Sequence, residues 1–254
     1  MLADLVAAVD EAGALALRYF RNGVKSWDKH PGDPVSEADL AVDGLLRERL
    51  AALDPAAGWM SEESARAPDL RAAKRVWIVD PIDGTRAFLK GQAEFSVVAA
   101  LVEDGRPLLA AVCNPATKQM FAAARGQGTT LNAIPVSVTR VDDPVGGRLL
   151  MGEKGAKRLG LEGKAEIRMV SSIAYRLCLV AAGRYDACVS LGEKSDWDIA
   201  AADLIVSEAG GLATAVDGSP FVYNLEPLRH PSVLAAGPKL HARLMADIKA
   251  LPKA

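Results

Sequence analysis

Trp77-Ile78-Val79-Asp80-Pro81-Ile82-Asp83-Gly84-Thr85 places two carboxylates, a carbonyl and a hydroxyl at the end of an apolar run. Val76 to Val79 has the β-branched, apolar texture of a buried strand. Pro81 has no amide hydrogen to continue a ladder, which predicts that the strand stops at Asp80. Asp83-Gly84 predicts a turn, because glycine enters backbone conformations closed to most residues. Asp80 and Asp83 thus leave one strand end and could face one pocket. Carboxylates that close repel each other unless a proton or cation lies between them, and oxygen-only ligands favour a hard ion: Mg²⁺ first, then Mn²⁺ or Ca²⁺. An ordinary strand turn with Asp as turn former also fits this stretch and stays open at this point.

A chain of 254 residues buries a substantial core, as one large domain or as two sub-domains sharing an interface. Half of it is hydrophobic, yet no apolar run reaches the roughly 18 residues of a membrane span. The opening segment, Leu2 to Phe20, has helical apolar spacing, carries Asp4, Asp10 and Glu11, and lacks the basic start of a signal peptide, so a cytoplasmic location is expected. A formal charge of −2 gives no reason to expect nucleic acid or a membrane as partner, whereas local lysines and metal ions could draw a small phosphorylated metabolite. Cys113, Cys178 and Cys188 sit among apolar residues and read as buried thiols. With His30, His230 and His241 scattered, no zinc-type cluster can be drawn, which again favours carboxylate-bound Mg²⁺.

Gly23, Pro31, Gly32 and Pro34 predict an exposed loop or hairpin before a second helix, from Ser36 to about Leu53. Ser36-Glu37-Ala38-Asp39 reads as its cap. Trp59 to Ser64 ends a short strand in Glu62-Glu63, a pair that solvent alone could account for, and Arg66 to Arg75 reads as a surface linker. After Thr85 a helical turn runs to Lys90, whose first amides, at Gly84 and Thr85, form a natural phosphate cradle. Glu94–Val102, Pro107–Cys113, Lys118–Ala123 and Val136–Thr139 read as neighbouring strands of an antiparallel sheet. The Asp/Pro/Gly-rich segment from Val141 to Gly147 marks a sub-domain boundary, dividing 1–140 from 141–254. Beyond it strands and helices alternate: strands at Arg148–Met151, Glu166–Val170 and Tyr185–Ser190, a helix capped by Ser171-Ser172, and a helix from Asp196 to about Ala209, stopped by Gly210-Gly211. In that last helix Asp198 sits in the first turn, where the dipole favours a carboxylate anyway.

Asp80-Pro81-Ile82-Asp83-Gly84-Thr85 resembles the metal-binding signature of the inositol monophosphatase superfamily of Mg²⁺-dependent, lithium-sensitive phosphomonoesterases. Ser36-Glu37-Ala38-Asp39, Ser61-Glu62-Glu63, and Trp197-Asp198-Ile199-Ala200-Ala201 followed by Glu208-Ala209-Gly210-Gly211 match in the same order, over about residues 1 to 240. The resemblance implies a layered αβαβα sandwich, an α+β sub-domain joined to an α/β one, of the inositol monophosphatase and fructose-1,6-bisphosphatase type. It implies metal ligands at Glu62, Asp80, the Ile82 carbonyl, Asp83 and Asp198, holding about two or three Mg²⁺ ions, with Mn²⁺ as substitute and Li⁺ as inhibitor. Thr85 would orient the attacking water, with Glu62 or Asp39 receiving its proton. Substrate contacts are expected from Asp83, Gly84, Thr85, Ser171, Glu193 and Asp198, the Ser171 and Glu193 placements being guesses from position. A homodimer is common among such proteins.

The Asp-x-x-Asp spacing argues against an aspartyl-phosphate phosphatase, which requires Asp-x-Asp. Phe88, Lys90 and Glu94-Phe95-Ser96-Val97 are similar to the branch that hydrolyses 3′-phosphoadenosine 5′-phosphate. Inositol phosphatases place an acidic residue seven positions before the Trp-Asp aspartate, where this chain has Leu191, although Glu193 is near. The expected order is therefore 3′(2′),5′-bisphosphate nucleotidase, then inositol-1-monophosphatase, then a histidinol-phosphate or sugar phosphatase. A non-catalytic, metal-binding regulatory protein is the alternative from another class, and a complete ligand set argues against it.

Overall fold

The computed structural model describes residues 1–64 and 72–251. The linker expected from Arg66 therefore lies, up to Arg71, outside the described residues. The chain opens with helix α1 (Leu2–Asn22), the hairpin β1 (Ser26–His30) and β2 (Asp33–Ser36), and helix α2 (Glu37–Leu53). Ser36 caps α2 in a reciprocal capping box with Asp39, as its spacing predicts. Next come β3 (Gly58–Ser61), β4 (Arg75–Asp83), the short α3 (Thr85–Leu89), β5 (Ser96–Glu103), β6 (Arg106–Asn114), β7 (Gln119–Ala124), β8 (Thr129–Leu131) and β9 (Ile134–Pro135). The remainder contains β10 (Arg148–Leu150), α4 (Glu153–Arg158), β11 (Glu166–Arg168), α5 (Ile173–Ala181), β12 (Ala187–Ser190), β13 (Lys194–Ser195) and α6 (Asp196–Glu208). It closes with β14 (Leu212–Thr214), β15 (Arg229–His230), β16 (Val233–Ala236) and α7 (Pro238–Lys249).

Strands β3 to β9 form one sheet in sequence order, parallel only between β3 and β4. A second sheet has the order β11-β10-β12-β16-β14. Period-two alternation sorts the side chains: Trp77 and Val79 of β4 pack with α1 and α2, while Val76 and Ile78 pack with α5 and α6. On the second sheet, Leu150, Cys188 and Ala235 face α5 and α6, whereas Leu149, Val189 and Leu234 face α4 and α7. The layers are thus α1/α2, sheet, α5/α6, sheet, α4/α7, the expected αβαβα sandwich. Helix α5 lies in the middle layer with every residue from Ile173 to Ala181 buried. All three cysteines are buried free thiols. Among the described residues, no helix is long and apolar enough to cross a membrane.

Two expectations are corrected. Strand β4 does not stop at Asp80: pairing with β5 runs from Asp80↔Val98 to Asp83↔Ser96, with one extra residue on β4 between them. The backbone bulges there, and a bulge is where a proline is tolerated inside a sheet. The bulge also decides the site. Residues three apart on a regular strand face opposite sides, but the extra residue returns Asp80 and Asp83 to the same face, opposite Val98 and Ser96. The second correction concerns Val136–Thr139, which forms no ladder. After Pro135 the segment crosses to the end of α6, where the Val138 amide donates to the Ala209 carbonyl.

Candidate active site

Five elements deliver the predicted residues to one place. The parallel register Ser61↔Val79 sets Glu62 beside Asp80, and the Glu62 amide donates to the Val79 carbonyl at 3.2 Å. The bulged end of β4 brings Asp80, Ile82 and Asp83, while α6 contributes Asp198 from its first turn. One carboxylate oxygen from each of Asp80, Asp83 and Asp198 lies within 4.8 Å of the others. These three residues, with Glu62, Ile82, Gly84, Thr85 and Ser171, line a cavity of about 410 Å³. Asp39 lies behind it, buried at the start of α2. Thr85 Oγ1 joins the two layers, 2.9 Å from the Ile82 carbonyl and 3.4 Å from Asp39 Oδ1.

Asp83 is held by Ser172 Oγ and the Ala174 amide, which donate to its Oδ2 at 2.6 and 2.7 Å. This is how α5 is tied to the bulge. Gly84 makes the approach possible: its φ is +95°, and a Cβ there would lie 2.8 Å from the Glu94 carbonyl, the group that accepts from the Ser172 amide.

Burial above all holds these carboxyls above their usual range, with mutual repulsion added at Asp80 and Asp198. Asp80 is pushed well up by burial and by the Glu62, Asp83 and Asp198 carboxylates. Burial raises Asp83 to about 6, against hydrogen bonds from Ser172 and Ala174 that pull it down. Burial and then Asp83 raise Asp198 to about 7, and burial raises Asp39 to about 6. Such a cluster is short of positive charge. Among the described residues, Lys29 on β1 is the one cation in ion-pair contact with it, its Nζ donating to Glu62 and Glu63 at 2.9 and 3.0 Å. Burial pulls the Lys29 ammonium down, but the two glutamates outweigh it and hold its pKa above the usual range. An all-oxygen donor set with this charge deficit fits a hard divalent cation.

Glu193 is not gathered with the others. It is exposed, pairs with Arg229 at 3.3 Å, and leaves its neighbour Lys194 to line the cavity. Among the lining residues that escaped the sequence reading are Arg86, Arg176 and Met169. Arg176 had a signal, being the one charged residue in the otherwise apolar helix Ile173–Ala181. Lys29 had none, since its hairpin reads as solvated throughout.

A layered sandwich with an acidic cluster at a bulged strand end suits a metal-dependent phosphatase of small molecules. The chain belongs to the inositol monophosphatase family, whose profile matches residues 1–253, and it is thereby a phosphomonoesterase. It is 35% identical over 231 residues to an inositol-1-monophosphatase of Rhizobium meliloti, covering 86% of each chain. It is 28% identical over 243 residues to the 3′(2′),5′-bisphosphate nucleotidase CysQ of Aggregatibacter actinomycetemcomitans, covering 88% of this chain and 87% of that one. The structure matches that of an IMPase from Thermotoga maritima with a TM-score of 0.84 at 25% identity, over 96% of this chain and 94% of the other.

Proposed function

We propose that this phosphatase uses Mg²⁺ and prefers a nucleotide bearing two phosphates, 3′-phosphoadenosine 5′-phosphate foremost. The observation that carries the preference is the mixed lining of the cavity. Beside its carboxylates stand the cations Arg86, Arg176 and Lys194, and the apolar Pro34, Met169, Val170 and Ile173. A guanidinium is costly to bury, yet Arg176 is only 7% exposed: its Nη2 donates to the Ser171 carbonyl at 3.3 Å and it attracts Asp83 from beyond ion-pair distance, while its Nε has no hydrogen-bond partner among the described residues. A second anionic group on the substrate would complete it. A polyol carrying one phosphate leaves that cation with only the longer-range pull of Asp83 and the Ser171 carbonyl.

In this reading Glu62, Asp80, Asp83, Asp198 and the Ile82 carbonyl hold the metal. Bound Mg²⁺ supplies positive charge to the phosphoryl oxygens, acidifies the attacking water and stabilises the departing alkoxide. The protein's own part is to orient and to move a proton. Thr85 Oγ1 takes the proton that the attacking water gives up as its own hydroxyl proton moves to Asp39 Oδ1, so Thr85 ends as a hydroxyl and Asp39, kept basic by burial, as the acid. The 1–140 segment then provides most of the metal ligands and the Thr85–Asp39 pair, and 141–254 provides the remaining ligand, Asp198, with Ser171 and Arg176. Lithium inhibition, a cytoplasmic location and a homodimer are expectations from the family likeness alone.

Inositol-1-phosphate is the second reading, favoured by the higher identity to the R. meliloti protein. Phosphate release from a panel of esters separates the two. For this enzyme kcat/KM for 3′-phosphoadenosine 5′-phosphate should exceed that for inositol-1-phosphate by roughly 10-fold or more, the discrimination available from about 1.4 kcal/mol. The reverse order would assign the chain to the inositol phosphatases.

A further inference from the structure

Helix α6 is held from the side away from the cavity by a buried polar patch. Asp196, fully buried, lies with its Oδ1 2.9 Å from His230 Nε2, and its Oδ2 accepts from the Asn224 amide at 2.6 Å. Two turns along, Asp203 accepts from the Tyr223 hydroxyl at 2.9 Å, and Tyr223 is itself fully buried. Residues seven apart share one face of a helix, so Asp196 and Asp203 form a single stripe. Asp198 lies about 200° round the axis from Asp196, on the opposite side. The backbone continues the attachment: β13 pairs with β15 through Lys194↔His230 and Ser195↔Arg229, and the Ser195 amide donates to Asp198 Oδ2 at 2.6 Å.

We propose that the Asp196–His230 and Asp203–Tyr223 pairs are a clasp that sets the rotation of α6, and so the place of Asp198, with His230 a positioning residue for the metal. The rotation of a helix is set by its heaviest directional contacts, and charge-assisted hydrogen bonds in a buried site are stiffer than apolar packing. Ala200, Ala201 and Ala202 put only small side chains around the helix between the two clasp acids, so apolar packing grips α6 there less than it does at Ile199, Leu204, Ile205 and Val206. This inference rests on the reading of Asp198 as a metal ligand.

The test is calorimetric titration of Mg²⁺ into the chelator-treated full chain, alongside thermal melting and phosphate release, for the parent, His230→Ala and His230→Gln. His230→Ala is expected to bind Mg²⁺ roughly 10-fold more weakly and to lose kcat by a similar factor, the usual cost of losing a group that supports a ligand. KM for the ester should stay within about twofold, and His230→Gln, whose amide can replace the Nε2 donor, should return Mg²⁺ affinity to within about twofold of the parent. A merely structural histidine would lower the melting temperature and leave Mg²⁺ affinity unchanged, and that result overturns the clasp. Should His230→Ala not fold, Tyr223→Phe removes only the second hydroxyl contact, and unchanged Mg²⁺ affinity there also overturns it. Absence of Mg²⁺ binding in the parent instead overturns the reading of Asp198 on which the clasp depends.

Discussion

Asp83 carries more of the site than any other single side chain. One of its carboxylate oxygens lies within 4.8 Å of oxygens of Asp80 and Asp198, and its Oδ2 takes two hydrogen bonds from Ser172 and Ala174 at the start of α5. Asp83→Asn keeps the size and removes the charge. We expect it to lower kcat/KM by at least about 100-fold, since even groups that only support a metal ligand cost 10 to 100. An unchanged circular dichroism spectrum would show that the loss is chemical. Arg176 gives the complementary prediction. Arg176→Met should raise KM for 3′-phosphoadenosine 5′-phosphate roughly 10-fold, the worth of about 1.4 kcal/mol, while the KM for inositol-1-phosphate stays near the parent value. Equal shifts for both esters would show that Arg176 reads the phosphate they share. At this scale each acid taken alone had an ordinary role, as turn former, solvated pair, helix cap or first-turn carboxylate, and the ordered family motifs are what marked Glu62, Asp80, Asp83 and Asp198 as one set. Lys29 and Arg86 were not legible, because they lie in polar stretches where a lysine or arginine is unremarkable by position.

At the scale of elements, the site depends on an irregularity in β4. Pro81 was legible as a break, but a proline that ends a strand and a proline that sits in a bulge look alike in one sequence. What distinguishes them is Ser96 of β5, which resumes pairing with Asp83. Val136–Thr139 failed for the opposite reason: its alternation is real, but Val138 buries its side chain against the core while its amide goes to Ala209 rather than to a neighbouring strand. The turn after the bulge tests this geometry. Gly84→Ala places a methyl 2.8 Å from the Glu94 carbonyl at a φ of +95°. The strain should destabilise the protein by about 1–3 kcal/mol in denaturant melts. Because the same contact ties α5 to Asp83, kcat should fall with it. A loss below about 0.5 kcal/mol, the usual range of a surface substitution, would show that α5 gives way without cost.

Across the whole molecule, the layer order could be read from alternating strands and amphipathic helices together with the family resemblance, whereas α4, α7 and the β13–β15 ribbon were not legible. Those elements are short or late in the chain and depend on tertiary partners. The sandwich exists with its acids crowded between layers, and that crowding has a measurable sign. Asp39 and Asp83 near 6 and Asp198 near 7 sit above an ordinary aspartate at about 3.9, so between those values the folded chain binds more protons than the unfolded one. Their contribution is fully present below about pH 4 and is lost as pH rises through about 7. The melting temperature of the metal-free protein should therefore fall across that window. Added Mg²⁺ should raise it more at pH 8 than at pH 5, because binding requires the protons to leave. Equal increments at both pH values would show that the ion binds elsewhere.

The claim that everything else depends on is that acids from β3, β4 and α6 hold a divalent ion that this phosphatase requires. It is tested most directly by measuring phosphate release after chelation and then across a Mg²⁺ titration, for the parent chain and Asp198→Asn. The account predicts no release without metal, saturable recovery in the parent, and a recovery curve for Asp198→Asn displaced to higher Mg²⁺ with a lower plateau. Release that persists after chelation, or an Asp198→Asn curve that overlays the parent's, would contradict it.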